Sequence, residues 1–325
     1  MLKATVLEKH YPVVAGVRAL FSRDRDRKVR AVDGVSFSVA SGEVLGIVGE
    51  SGCGKSTLAR MLVGLEDVTS GTFELDGEDG RQLRSRDRWE FYRRIQMIFQ
   101  DPYASLNPSH DTFRIVANPL MYQNVLDRTE IRERVLEVMG MVGLHPAELY
   151  LGKHPHLLSG GQRQRLCIAR ALILNPGNLI ADEPVSMLDV SIKWDIIRLL
   201  KMLAKQRGIS LVYITHDLAT VSSVCDRLAI MYLGKIVEIG PTKDILRAPS
   251  HPYTRALIAA VPGAKLDFER PAPMISGEIG SAIDLPRGCS FQNRCYKSTS
   301  RCALESPRLE PQGNRDVACF MVDRL

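Results

Sequence analysis

The run Gly49-Glu50-Ser51-Gly52-Cys53-Gly54-Lys55-Ser56 constrains this chain more than any other stretch, because of what flanks it. The apolar Val44-Leu45-Gly46-Ile47-Val48 comes before it, and Thr57-Leu58-Ala59-Arg60-Met61-Leu62 comes after. A buried strand feeding G-x-x-x-x-G-K-S and then a helix is the layout of a loop that cradles phosphates. Glycines let backbone N–H groups from Gly49 through Thr57 converge on an anion with no Cβ in the way. The helix N-terminus adds a favourable dipole. Lys55 can reach the β- and γ-phosphates, and the Ser56 hydroxyl can ligate Mg2+. The run predicts a nucleoside triphosphate site.

A second glycine-rich helix start follows much later. Leu158-Ser159-Gly160-Gly161-Gln162-Arg163-Gln164-Arg165 precedes a helix with apolar positions at Leu166, Ile168, Ala169 and Leu172. Exposed N–H groups at such a start make a second anion site. Asp182 and Glu183 end the apolar run Leu179-Ile180-Ala181. One carboxylate there can hold Mg2+ through water while the other polarises an attacking water. His216 closes Ser210-Leu211-Val212-Tyr213-Ile214-Thr215, at the strand end where ligands of parallel sheets collect.

Strand and helix patterns alternate along the chain, which predicts an α/β fold with a mainly parallel, helix-covered sheet. Val32 to Val39 alternates apolar and polar, Thr72 to Gly77 is a strand entering a turn, and Ile95 to Gln100 is a short strand. Ile131, Val135, Val138, Met139 and Val142 recur at helical spacing between about 101 and 157. Ile192, Ile196, Leu199 and Leu203 line one face of another helix. Prolines become frequent near 250, which places a domain boundary there: 1–250, with a helical subdomain over about 101–170, and 251–325. The net charge of +6 is mild, and the basic runs from Arg23 to Arg30 and Arg81 to Arg94 interleave acids. They read as solvated loops, with contact to acidic lipid or RNA as the alternative, and no nucleic-acid partner is expected. No apolar run is long enough to span a bilayer.

In order and spacing, these motifs resemble the ABC-ATPase family: 49–56, Gln100, 158–162, Asp182-Glu183, Ser186-Met187-Leu188-Asp189 and His216. The resemblance implies a nucleotide-binding domain with an antiparallel β subdomain and a helical subdomain. It also implies a head-to-tail dimer, each ATP held by the phosphate loop of one subunit and Ser159, Gly160, Gly161 and Gln162 of the other. Gln100 would sense Mg2+ and the attacking water, Asp182 support the metal, and Glu183 act as general base. His216 would be the γ-phosphate switch, and Asp189 would communicate across the dimer. Tyr11 is the candidate adenine-stacking aromatic, with Phe21 as the alternative.

Phe99-Gln100-Asp101-Pro102-Tyr103-Ala104-Ser105-Leu106-Asn107-Pro108 and Ser250-His251-Pro252-Tyr253-Thr254 resemble the dipeptide/oligopeptide importer branch of that family. Within the branch the chain is most similar to the second of two non-identical ATPase subunits. This implies a second ATPase subunit, two membrane permease subunits and an extracytoplasmic solute-binding protein as partners. It implies a peripheral place on the cytoplasmic face of the inner membrane. Nickel or glutathione as cargo, or a non-transport ABC ATPase, are the alternatives.

Cys289, Cys295, Cys302 and Cys319 give the spacing C-x5-C-x6-C-x16-C in a small irregular tail. Four thiolates in a cytosolic protein suit a soft metal site, and disulfides are disfavoured there. The spacings are wider than a zinc knuckle. That, with the resemblance, favours a [4Fe–4S] cluster; zinc and no metal are the alternatives.

Overall fold

The computed structural model describes residues 1–13, 27–123, 127–261, 280–283 and 285–322. Phe21 lies outside the described residues. The chain divides into two compact units, one formed by 1–2, 39–44 and 74–214, the other by 3–38, 45–73 and 215–325.

In the first unit, Ile95–Ile98, Asn178–Asp182 and Ser210–Thr215 run parallel in that order, with Met97 opposite Ile180 and Ile180 opposite Val212. Every residue of the last two strands is buried. Near-continuous apolar runs are what a parallel sheet covered on both faces requires. Thr112–Gln123, Arg128–Met141 and Gly160–Leu172 pack on one another. The helical spacing read from the sequence is the packing face: Ile131, Val135, Val138, Met139 and Val142 are all buried. The helix Val190–Arg207 ends at Gly208, whose left-handed φ of 66° suits a residue without a Cβ.

The second unit holds a run of strands in the order Glu310–Gln312, Arg315–Val317, Lys235–Pro241, Arg227–Tyr232 and Val44–Val48. Val44–Val48 pairs parallel with Arg227–Tyr232, and the other pairings in the run are antiparallel. Lys28–Val39, Leu2–Pro12 and Ser70–Leu75 lie side by side in a separate sheet.

Two expectations need correction. The basic run from Arg81 to Arg94 is two short helices, Gly80–Arg86 and Arg88–Arg94. Asp79 and Asp87 cap them by accepting from the N–H groups two and three residues on. Arg94 pairs with both Glu78 and Glu90. The irregular tail also contains a regular part: Arg315–Val317 pairs with Lys235–Pro241, placing Val317 opposite Glu238. The last strands therefore belong to a sheet that begins well before residue 250.

Candidate functional site

The phosphate loop lies in the second unit. The strand Val44–Val48 is fully buried, so the chain leaves the sheet at Gly49 from a fixed position. Two glycines are demanded by their surroundings. A Cβ at Gly49 would collide with the Met231 carbonyl, and one at Gly54 with the Ala31 carbonyl. Gly54 also takes φ +104° as the N-cap of the helix Lys55–Leu62, which has no side-chain cap. No side chain caps its first N–H groups, and such a helix start favours an anion. The Lys55 ammonium, 6% exposed, donates to Gly49 O at 2.8 Å and Glu50 O at 2.9 Å. Leu58, Met61 and Leu62 bury the far face of the helix. Burial pushes the Cys53 thiol up, against the pull of the nearby lysine. Its Sγ is 3.8 Å from Lys55 Nζ, and its carbonyl accepts from Gly234 N.

Tyr11 is half-buried with the Lys9 ammonium 4.9 Å from its ring centre. Burial raises its hydroxyl, and Glu66 adds to that; Thr57, in the helix after the loop, hydrogen-bonds it. The structure thus brings Tyr11 beside a predicted site residue. His216 is exposed, directly after Ser210–Thr215. The turn is set by Asp217, which caps Leu218–Val224 by accepting from Ala219 N at 3.0 Å.

Glu50 is the residue that sequence reasoning passed over. Arg294 grips its carboxylate with both terminal nitrogens, at 2.8 and 3.2 Å. Its backbone N–H donates to the Tyr253 hydroxyl at 3.1 Å. The available signal was electrostatic: a carboxylate inside an anion cradle calls for a counter-charge.

Asp182 and Glu183 lie in the first unit. Asp182 ends its strand 4% exposed. Glu183, just beyond, takes φ +47°, a left-handed conformation that a non-glycine residue adopts at a cost of about 1 kcal/mol or more. It is held there by its N–H on Ile214 O at 2.9 Å and by its carbonyl accepting from Ser186 N and Oγ. Its carboxylate accepts from Gln100 Nε2 at 2.9 Å. The structure therefore brings together the two residues expected to handle the attacking water. Gln100 precedes a short helix whose N-cap Asp101 accepts from Tyr103 N and Ala104 N.

Ser159 caps Gly160–Leu172 in a reciprocal box. Gln162 N donates to Ser159 Oγ at 3.3 Å, and Ser159 N donates to Gln162 Oε1 at 2.9 Å. A Cβ on Gly161 would approach Ile192 Cγ2 to 2.6 Å. Arg163 stacks over Tyr103 at 4.1 Å, and Ser105 Oγ lies 3.3 Å from Cys167 Sγ, so the segment after Gln100 rides on this helix. Asp189 begins Val190–Arg207 without capping it through its side chain.

In the tail all four cysteines are free. Burial pushes the Cys289 thiol up to about 11, and the charges of Cys302, Cys319 and Cys295 act in the same direction. Cys289 N donates to Cys302 O at 2.8 Å. Among the described residues no three His, Cys, Asp or Glu side chains form a group able to hold a metal ion. The expected tail metal gains no support from this arrangement.

Comparison with known proteins bears on the whole chain. The family profile described as ABC transporter matches residues 32–186, and that described as the oligopeptide/dipeptide transporter C-terminal region matches 237–302. The dipeptide transport ATP-binding protein DppF of Haemophilus influenzae is 42% identical over 99% of this chain and 97% of its own length. The oligopeptide transport ATP-binding protein OppF of Salmonella typhimurium is 44% identical over 100% and 97%. Among solved structures, a dimeric bacterial ABC transporter cassette aligns with a TM-score of 0.64 at 28% identity, covering 74% of this chain and 99% of that one.

Proposed function

The chain belongs to the ATP-binding subunits of the dipeptide and oligopeptide ABC transporters, and from that membership we propose that it hydrolyses ATP to drive peptide import. The pore would be formed by separate permease subunits. No helix among the described residues is long and apolar enough to cross a membrane. Docking on the cytoplasmic face, a second non-identical ATPase subunit and an extracytoplasmic solute-binding protein belong to the same proposal.

The observation that carries hydrolysis is the Gln100–Glu183 pair. Gln100 orients the carboxylate with which Glu183 would take a proton from the attacking water. Lys55 and the uncapped N–H groups after Gly54 bind the phosphates. Ser56 and Asp182 would hold Mg2+, whose charge offsets that developing on the transferred phosphoryl group. Tyr11 would face the adenine. Ser159, Gly160, Gly161 and Gln162 would complete the site of a facing subunit, with Asp189 and His216 relaying its state. Glu183→Gln tests this: Mg-ATP binding should persist while turnover falls by about 10²–10⁴-fold. Wild-type turnover in that variant would remove Glu183 as base. Restoration of dipeptide uptake in cells lacking the chain tests the cargo; restored nickel or glutathione uptake instead would replace it.

For the tail we infer a [4Fe–4S] cluster held by Cys289, Cys295, Cys302 and Cys319. The support is the spacing of four free cysteines together with the resemblance; among the described residues their side chains form no metal-holding group. In such a cluster each thiolate binds its own iron, whereas zinc needs ligands converging on one point. Anaerobically purified protein should carry iron and sulfide at about four each per chain. Stoichiometric zinc, or no metal, would reject the assignment.

A further inference from the structure

We propose that the C-terminal extension is a positioning element of the phosphate loop, acting through Arg294 and Tyr253 on Glu50. The inference rests on the reading of residues 49–56 as the triphosphate site. Glu50 is held by three handles at once. Its N–H donates to the Tyr253 hydroxyl at 3.1 Å, its carbonyl accepts from the Lys55 ammonium at 2.9 Å, and its carboxylate is forked by Arg294. Two of the three come from beyond residue 250. The ion pair is largely withdrawn from water, with side-chain exposures of 10% for Arg294 and 20% for Glu50, so solvent screens it little. A planar guanidinium meeting a carboxylate bidentately fixes direction as well as charge.

The clamp is rooted in an aromatic cluster. Tyr253 is fully buried and lies 4.7 Å from Tyr232 and 5.4 Å from Phe291, ring centre to ring centre, while Tyr232 and Phe291 meet edge to face at 5.3 Å. Arg294 also donates to the Tyr232 hydroxyl at 3.4 Å. Phe291 and Arg294 both lie between Cys289 and Cys295. The segment that carries the cysteines is thus the segment that neutralises a carboxylate in the anion cradle. Without Arg294, Glu50 would oppose the incoming phosphates and its carbonyl would lose its fixed place beneath Lys55.

The test is titration of the full-length chain with Mg-ATP. Arg294→Met should raise Kd by about tenfold or more, since it strands a half-buried carboxylate. Steady-state KM should rise in step while kcat stays within about twofold. Glu50→Gln loses the fork but leaves no bare charge, so it should weaken binding less than Arg294→Met does, and adding Arg294→Met to it should change Kd by less than about twofold. Equal affinity of Arg294→Met and wild type would overturn the proposal. So would an equal loss in the Glu50→Gln background, because a merely structural arginine is missed whether or not Glu50 is charged. Should Arg294→Met fail to fold, Arg294→Lys replaces it: it keeps the charge and loses the fork, so intermediate weakening is expected and wild-type affinity overturns. If the wild-type chain itself binds no Mg-ATP, the reading of the loop fails instead.

Discussion

Two helix starts in this chain look alike on paper and differ in the folded protein. Lys55–Leu62 begins at Gly54 with no side-chain cap and an ammonium resting on the loop carbonyls. Gly160–Leu172 begins at Ser159 with a closed capping box, its Ser159 and Gln162 N–H groups already satisfied. The first start has no side-chain acceptor competing with an anion. The second has already matched part of its own set, so an anion there must displace Gln162 or use the remaining glycine amides. A site of this second kind is weak alone and gains when another surface delivers the phosphate. A third start, Pro252–Ala259, is capped by a side chain that titrates: His251 Nδ1 accepts from Tyr253 N at 3.0 Å.

Substitutions at these starts break or sharpen the contrast. The largest effect is expected at the first. Lys55→Ala should weaken Mg-ATP binding by about a hundredfold in a titration of the isolated chain, as the loss of charge-assisted hydrogen bonds implies; a change under about fivefold would mean the amides alone suffice. The third should respond to acid. Burial holds His251 down to about 3, below its ordinary value of 6.5, so between those values the unfolded chain binds more protons and stability falls as pH falls. By pH 5 the loss is on the order of 2 kcal/mol, read as a lowered urea midpoint. Glu238, which accepts from the His251 N–H, and Arg315 beside it are the charged groups nearby. His251→Asn keeps a capping acceptor and should flatten that pH dependence; an unchanged slope would place the titration elsewhere. The smallest effect is at the second start. Ser159→Ala should cost about 1 kcal/mol of stability and leave the Kd of the isolated chain for Mg-ATP unchanged. A large loss of binding there would erase the distinction between the two starts.

Much of the site was legible because its signals are local. A strand, a glycine-rich turn and a helix within twenty residues specify the phosphate loop. An apolar strand ending in acids specifies the position of Asp182 and Glu183. What escaped was of two kinds. Glu183's left-handed backbone has no residue signature, since neighbours such as Ile214 and Ser186 impose it. The Arg294–Glu50 pair joins residues 244 apart in the chain, and no periodicity reaches that far. The helices over Gly80–Arg94 were within reach: Asp79 and Asp87 each stand at a helix start, but dense arginines read as a solvated run hid them. The hairpin of Glu310–Gln312 and Arg315–Val317 was not, because its strands are three residues each and mostly polar or charged.

That hairpin has a consequence for the life of the protein outside its transporter. Arg315–Val317 lies against Lys235–Pro241, a strand whose Ile236, Val237 and Ile239 are buried. A chain cut short before residue 310 would leave that apolar ribbon with open amides along one side, an invitation to stick to its own kind. Proteolytic loss of the last sixteen residues would then be punished by precipitation well before any nucleotide was turned over.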